Sequence, residues 1–276
     1  MQENFTCKNC GNSFTGKFCN NCGEKIYTGK DRSVAHLLSE GLHFITHFEG
    51  TFFITLRAIF TTPGKFSVDY CNGIRKKYFK PIAFFLMLVI LYLLFPIFPG
   101  LNVSLYEHVR HSFYGHSAMN KAIEVMQMHH FTDAQLGERF QHLSEKTSKF
   151  LLFIIIPAMA LFSWLLSFPK RKYFYDNFVF SIEAASFFIL WGFLMLPLLL
   201  KVLHWIFPSF PDLSDLQILI PFISIFILYL IIASKRFFQF KWWYSVLYSL
   251  VFTLALTMFI QYVYKFILFF ITIRLI

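Results

Sequence analysis

The sequence predicts an all-α, polytopic membrane protein of about five transmembrane helices with a small cysteine-bound module at its N-terminal end. Three observations predict this class. Of the 276 residues, 57% are hydrophobic, 21% aromatic and only 14% charged, where a soluble domain carries about 25% charged residues. The missing charge coincides with apolar runs of membrane length. Ahead of those runs, in a polar stretch, stand four cysteines in the order C-x2-C-x8-C-x2-C: Cys7, Cys10, Cys19 and Cys22.

The cysteines come first in the chain. Each pair is followed by glycine, Gly11 and Gly23, which lets the backbone turn tightly around a metal. Four thiolates suit one tetrahedral Zn2+ at a closed structural site, so residues 1–27 read as a zinc ribbon of two knuckles around a short phenylalanine-containing hairpin. A rubredoxin-like iron site or a thiol redox pair uses the same residue types. So short a stretch cannot build a core, and a metal would supply its folding energy. With every coordination position filled by protein, the module is structural or recruits a partner. Residues 1–30 hold no apolar signal region, which places the N-terminus in the cytoplasm, where thiols stay reduced.

Residues 28–81 form a linker, an amphipathic interfacial helix and a basic junction. Asp31 or Ser33 suits the N-cap of a helix running to about Phe60. Val34, Leu38, Gly41, Ile45, Phe48, Phe52, Leu56 and Ile59 share its apolar face. His36, Glu40, His43 and His47 lie opposite. That row is either a wetted face or half of a second metal site, because one helix alone gives an incomplete ligand set. Pro63-Gly64 ends the helix. Arg75, Lys76, Lys77 and Lys80 then precede the first apolar run.

Residues 82–276 form the transmembrane bundle, with spans expected at 82–98, 150–168, 178–207, 216–233 and 244–272. Pro197 marks a kink in the third. The outer segment 101–149 is helical, and Thr132-x-x-Gln135 is a capping box ahead of the second span. The net charge of +10 is concentrated in short connections, at Lys170, Arg171 and Lys172 and at Lys235, Arg236 and Lys241. The loop 208–217 has no Lys or Arg and carries Asp212 and Asp215. This bias is the positive-inside pattern, with the N-terminus inside and the C-terminus outside, and with anionic headgroups as partners. No specific nucleic acid partner is expected.

Polar groups inside a span are costly and often functional. Glu183 lies in the third span beside Ser181, with Tyr175, Asp176 and Asn177 at its mouth. They read either as a proton, ion or headgroup site or as groups paired for packing. No H-E-x-x-H, G-x-S-x-G, P-loop or G-x-G-x-x-G occurs, so no reaction is indicated.

The stretches C-K-N-C-G…F-C-N-N-C-G-E-K, Y70-C-N-G-I-R-K-K-Y-F-K-P81 and Y175-D-N-F-V-F-S resemble a family of bacterial inner-membrane proteins catalogued as a domain of unknown function. The resemblance covers about residues 1–90 and the start of the third span. It implies zinc and the inner membrane, and no reaction. In that family the third-span entrance tends to read Tyr-x-acid-His; here the acid is Asp176, with Phe174 and Asn177 in the flanking positions.

The expected function is a non-enzymatic scaffold or recruitment protein with a cytoplasmic zinc module that binds a protein partner. The alternative is a transporter of a small solute, ion or lipid using the polar site around Glu183.

Overall fold

The computed structural model describes residues 4–7, 10–22, 50–95, 101–168, 170–171, 173–207 and 215–276. His36, Glu40, His43 and His47 lie outside the described residues. The chain divides into two units, Met1–Gly50 and Thr51–Ile276.

In the first unit, β1 (Asn4–Thr6) pairs antiparallel with β2 (Ser13–Thr15), with Phe5 opposite Phe14. The first cysteine knuckle forms the connection between the strands. The Gly11 N–H donates to the Cys7 carbonyl at 2.9 Å, and the Cys7 N–H donates to the Asn12 carbonyl at 2.9 Å. Gly11 has φ 72°, a left-handed conformation that glycine adopts without a Cβ penalty. Among the described residues of this unit, Cys7, Phe14 and Cys19 form the apolar core, with Phe5 packed on it.

The second unit is helical. It comprises α1 (Gly50–Thr61), α2 (Lys65–Cys71), α3 (Pro81–Leu94), α4 (Leu105–His111), α5 (Gly115–His129), α6 (Asp133–Ser167), α7 (Phe174–Ile206), α8 (Asp215–Phe238) and α9 (Trp242–Arg274). Among the described residues, four helices are long and apolar enough to cross a membrane: α6, α7, Gln217–Phe238 of α8, and α9. The run expected as the first span, 82–98, contains a shorter helix. α3 has 14 residues and ends where Phe95 takes φ −122° and ψ 73°. Phe95 precedes Pro96, and a residue before proline is driven out of the helical region.

α7 is the central helix, buried continuously from Val179 to Leu190. Ser181, Ala184, Ala185 and Ser186 keep its girth small, so neighbouring helices approach closely. Near its far end the helix widens into a π turn over Leu190–Met195, just before Pro197. A proline lacks an N–H and its ring crowds the carbonyl four residues back. The π turn absorbs that mismatch, so the helix continues to Ile206.

α6 and α9 run antiparallel. The Tyr244 hydroxyl donates to the Leu166 carbonyl at 2.9 Å, Tyr248 to Ser163 Oγ at 3.0 Å, and Tyr264 to the Ser148 carbonyl at 2.7 Å. α6 has 35 residues, which is ~52 Å of helix against ~30 Å of bilayer core. Its first half is polar and begins with the capping box: Gln135 N–H donates to Thr132 Oγ1 at 3.3 Å, and Thr132 N–H to Gln135 Oε1 at 3.0 Å. That half joins α4, α5 and the end of α9 around a separate core of Leu105, Ala118, Leu136, Phe140, Phe269 and Ile273, which forms a helical cap. The fifth apolar run therefore continues into the cap, where Phe269 and Ile273 are part of the core.

The opposite end of this unit gathers cations. Arg75 lies over the Tyr175 ring at 5.9 Å, and Lys235 lies over Trp242 at 3.7 Å. Arg171 donates to the Phe237 carbonyl at 3.2 Å.

Candidate functional site

Two places concentrate chemistry. The first is the cysteine cluster. Its four Sγ atoms all lie within 4.8 Å of one another, with Cys7 and Cys22 at 3.5 Å and Cys10 and Cys19 at 3.7 Å. Thiolates bound tetrahedrally at about 2.3 Å stand ~3.8 Å apart, so the cluster fits a metal ion. The cysteines are not disulfide-bonded. Backbone N–H groups of Cys22 and Asn21 are aimed at Cys19 and hold its thiol down at about 6, favouring the thiolate that a metal requires. The Asn12 side chain donates to Asn20 Oδ1 at 2.8 Å, tying the two knuckles together.

The second place is Glu183, which is fully buried. Its partners come from the turn between α1 and α2. Pro63 stops α1, and Gly64 turns the chain with φ 79° to start α2. The first N–H groups of a helix have no intrahelical acceptor, and Gly64 has no side chain to cap them. Glu183 caps them from another helix. Its Oε1 accepts from the Gly64 N–H at 2.8 Å, and its Oε2 accepts from the Ser67 N–H at 2.9 Å and from the Ser67 hydroxyl. The Tyr229 hydroxyl on α8 donates to Oε1 at 3.2 Å. A buried carboxylate is tolerated when donors replace its water, and here both oxygens are occupied.

The same turn is pressed onto α8. A Cβ at Gly64 would lie 2.5 Å from the Ala233 carbonyl oxygen. Arg236 Nη1 donates to the Pro63 carbonyl at 2.6 Å. Phe187, one turn beyond Glu183, stacks on Tyr229 with ring centroids 3.8 Å apart. The connection from α2 to α3 is held as well. The Phe79 N–H donates to Thr55 Oγ1 at 2.8 Å, and the Tyr78 hydroxyl to Asp69 Oδ2 at 2.6 Å.

The other residues grouped with Glu183 go elsewhere. Asn177 Oδ1 accepts from Ser163 and Ser167 of α6, both at 2.9 Å, and its amide donates to the carbonyls of Arg171 and Tyr173, both at 3.3 Å. It fastens α7 to α6. Asp176 pairs with Arg171 at 3.1 Å. Next to it, burial and then the charge of Asp176 push the Cys71 thiol up to about 12, so it stays protonated. Tyr175 is half exposed beneath Arg75. Glu183 shares no hydrogen-bond partner with these three. Its actual partners, Gly64, Ser67 and Tyr229, were missed because Pro63-Gly64-x-x-Ser67 reads as a helix stop. The only sequence signal was a turn unable to cap the helix that follows it.

Residues 49–93 match the model of a family described as "Protein of unknown function (DUF3667)". The matched stretch spans α1, α2 and most of α3. It therefore includes Gly64 and Ser67, two of the three residues that donate to Glu183, but neither Tyr229 nor Glu183 itself. No curated protein and no solved structure matches the chain.

Proposed function

We propose that this chain is a non-enzymatic membrane scaffold that binds one Zn2+ through Cys7, Cys10, Cys19 and Cys22 and presents the resulting ribbon to a cytoplasmic protein partner. The observation that carries the reading is the closed set of four sulfurs within 4.8 Å. Four cysteines at that spacing favour zinc and leave no position for a substrate. Phe18, beside the third cysteine, is 60% exposed, which suits an aromatic anchor for a partner. The cations gathered at one end of the helical unit support that end facing the cytoplasm of a bacterial inner membrane.

A transporter built on Glu183 has less support, because both carboxylate oxygens already accept hydrogen bonds from within the fold. The test uses the full chain in lipid nanodiscs. One zinc per chain is expected by elemental analysis, and Cys7→Ser with Cys22→Ser removes it. A cross-linked partner should be lost in that variant and also in Phe18→Ala, which keeps its zinc. A partner set unchanged in both variants would sink the recruitment reading.

A further inference from the structure

A partly open cavity of about 450 Å³ lies between α7, α8 and α9, bounded on one side by residues 101–103. That volume is in the range of small-molecule pockets, about 300–1,000 Å³. Glu183 and its donors are not among its lining residues, so it is distinct from the site above. Phe188, Phe222, Phe226, Leu256 and Ile260 give it apolar walls. Gly192 in the α7 π turn leaves room for one of them, since a Cβ there would lie 2.3 Å from Phe222 Cε2.

Three polar groups in the lining have no hydrogen-bond or ion-pair partner at their side-chain nitrogen or hydroxyl among the described residues. Thr253 is 8% exposed and its hydroxyl has no hydrogen-bond partner among the described residues. Asn102 Oδ1 accepts from the Val103 N–H at 2.9 Å and from the Ser144 hydroxyl. A backbone N–H can only donate, so the orientation of that amide is fixed. Its buried Nδ2 then has donors and no acceptor among the described residues. Lys265 lines the same cavity, feels Glu107 of the cap, and forms no ion pair among the described residues. Ser144, which holds Asn102, lies one turn before Ser148, the contact of Tyr264. Asn102 and Lys265 therefore sit at the same end of the cavity, next to the cap. Thr253 lies twelve residues before Lys265 along α9, ~18 Å of helix.

We propose that this cavity binds an anionic amphiphile, with a phosphate or carboxylate head held by Lys265 and Asn102 and a hydrocarbon chain against the phenylalanines. Buried donors without acceptors select an oxygen-bearing ligand, because such groups cost free energy until they are paired. The apolar walls select a ligand with a tail, which separates a lipid from a free anion of the same head chemistry.

The experiment follows binding of oleoyl lysophosphatidate to the full chain in phosphatidylcholine nanodiscs by native mass spectrometry. Saturable binding of one molecule per chain is expected. Lys265→Gln should weaken it about tenfold, the scale of one charged hydrogen bond. Thr257→Trp, at an exposed lining position, should fill the cavity and abolish binding with the melting temperature unchanged. Inorganic phosphate at millimolar concentration should not compete. Absence of saturable binding, equal affinity in wild type and Lys265→Gln, or full displacement by inorganic phosphate would overturn the proposal.

Discussion

Glu183 illustrates how one residue can look functional and be employed in structure. Its carboxylate satisfies two backbone N–H groups and two hydroxyls drawn from α2 and α8. Glu183→Gln would turn an amide N–H2 toward backbone donors, and the orphaned groups should cost about 1–3 kcal/mol each. The expected result is a lower melting temperature in detergent, with secondary structure retained below it. His108 makes the converse point in the cap. It is fully buried, its Nδ1 is 2.6 Å from the Tyr114 hydroxyl, and its ring packs on Phe140 and Phe269. Burial, aided by Lys265, lowers its pKa from 6.5 to about 4. The unfolded cap takes up a proton at higher pH than the folded cap, so cap stability is complete above pH 6.5 and falls as the pH drops toward 4. Hydrogen exchange of the α4 and α5 amides should report that loss, and His108→Phe should flatten it.

At the scale of elements, the turn from α1 to α2 decides most. Gly64 is required twice, by its φ of 79° and by the 2.5 Å that a Cβ would leave to Ala233. The backbone term alone is about 1–2 kcal/mol, and the overlap adds to it. Gly64→Ala should destabilise the helical unit and raise exchange at α2 while sparing the cap, whose core is separate. The capping box on α6 was legible from Thr132 and Gln135 alone, because its partners lie three residues apart. The capping of α2 was not legible, because its acceptor is 119 residues away from Gly64. The π turn in α7 falls between these cases. Pro197 announces a disturbance, but only the packing of Phe222 on Gly192 shows how the helix absorbs it.

At the scale of the whole molecule, two units rest on different physics. The helical unit buries aromatic and aliphatic side chains along α7, whereas among the described residues of the ribbon the buried core is Cys7, Phe14 and Cys19 with Phe5 packed against it. Metal removal should therefore separate them. A strong chelator is expected to strip any metal held by the four cysteines and make residues 1–30 protease-sensitive, with the helical circular dichroism unchanged. Loss of helix in parallel would show that the units are coupled. The long antiparallel pair α6 and α9 extends past the bilayer thickness and contributes Leu136, Phe140, Phe269 and Ile273 to the cap core, so the cap is built on the spans.

The sequence by itself determined the class, the cysteine cluster, the apolar runs and the placement of the basic connections. Each of these is a matter of composition or short spacing, read without knowing which helix lies beside which. Tertiary structure alone decided that Glu183 caps a distant helix, that Asn177 joins α6, and that Asn102, Thr253 and Lys265 line one cavity. The reason is that a buried polar group takes whatever partner the packing brings to it, and in a bundle of helices that partner is set by contacts far apart along the chain.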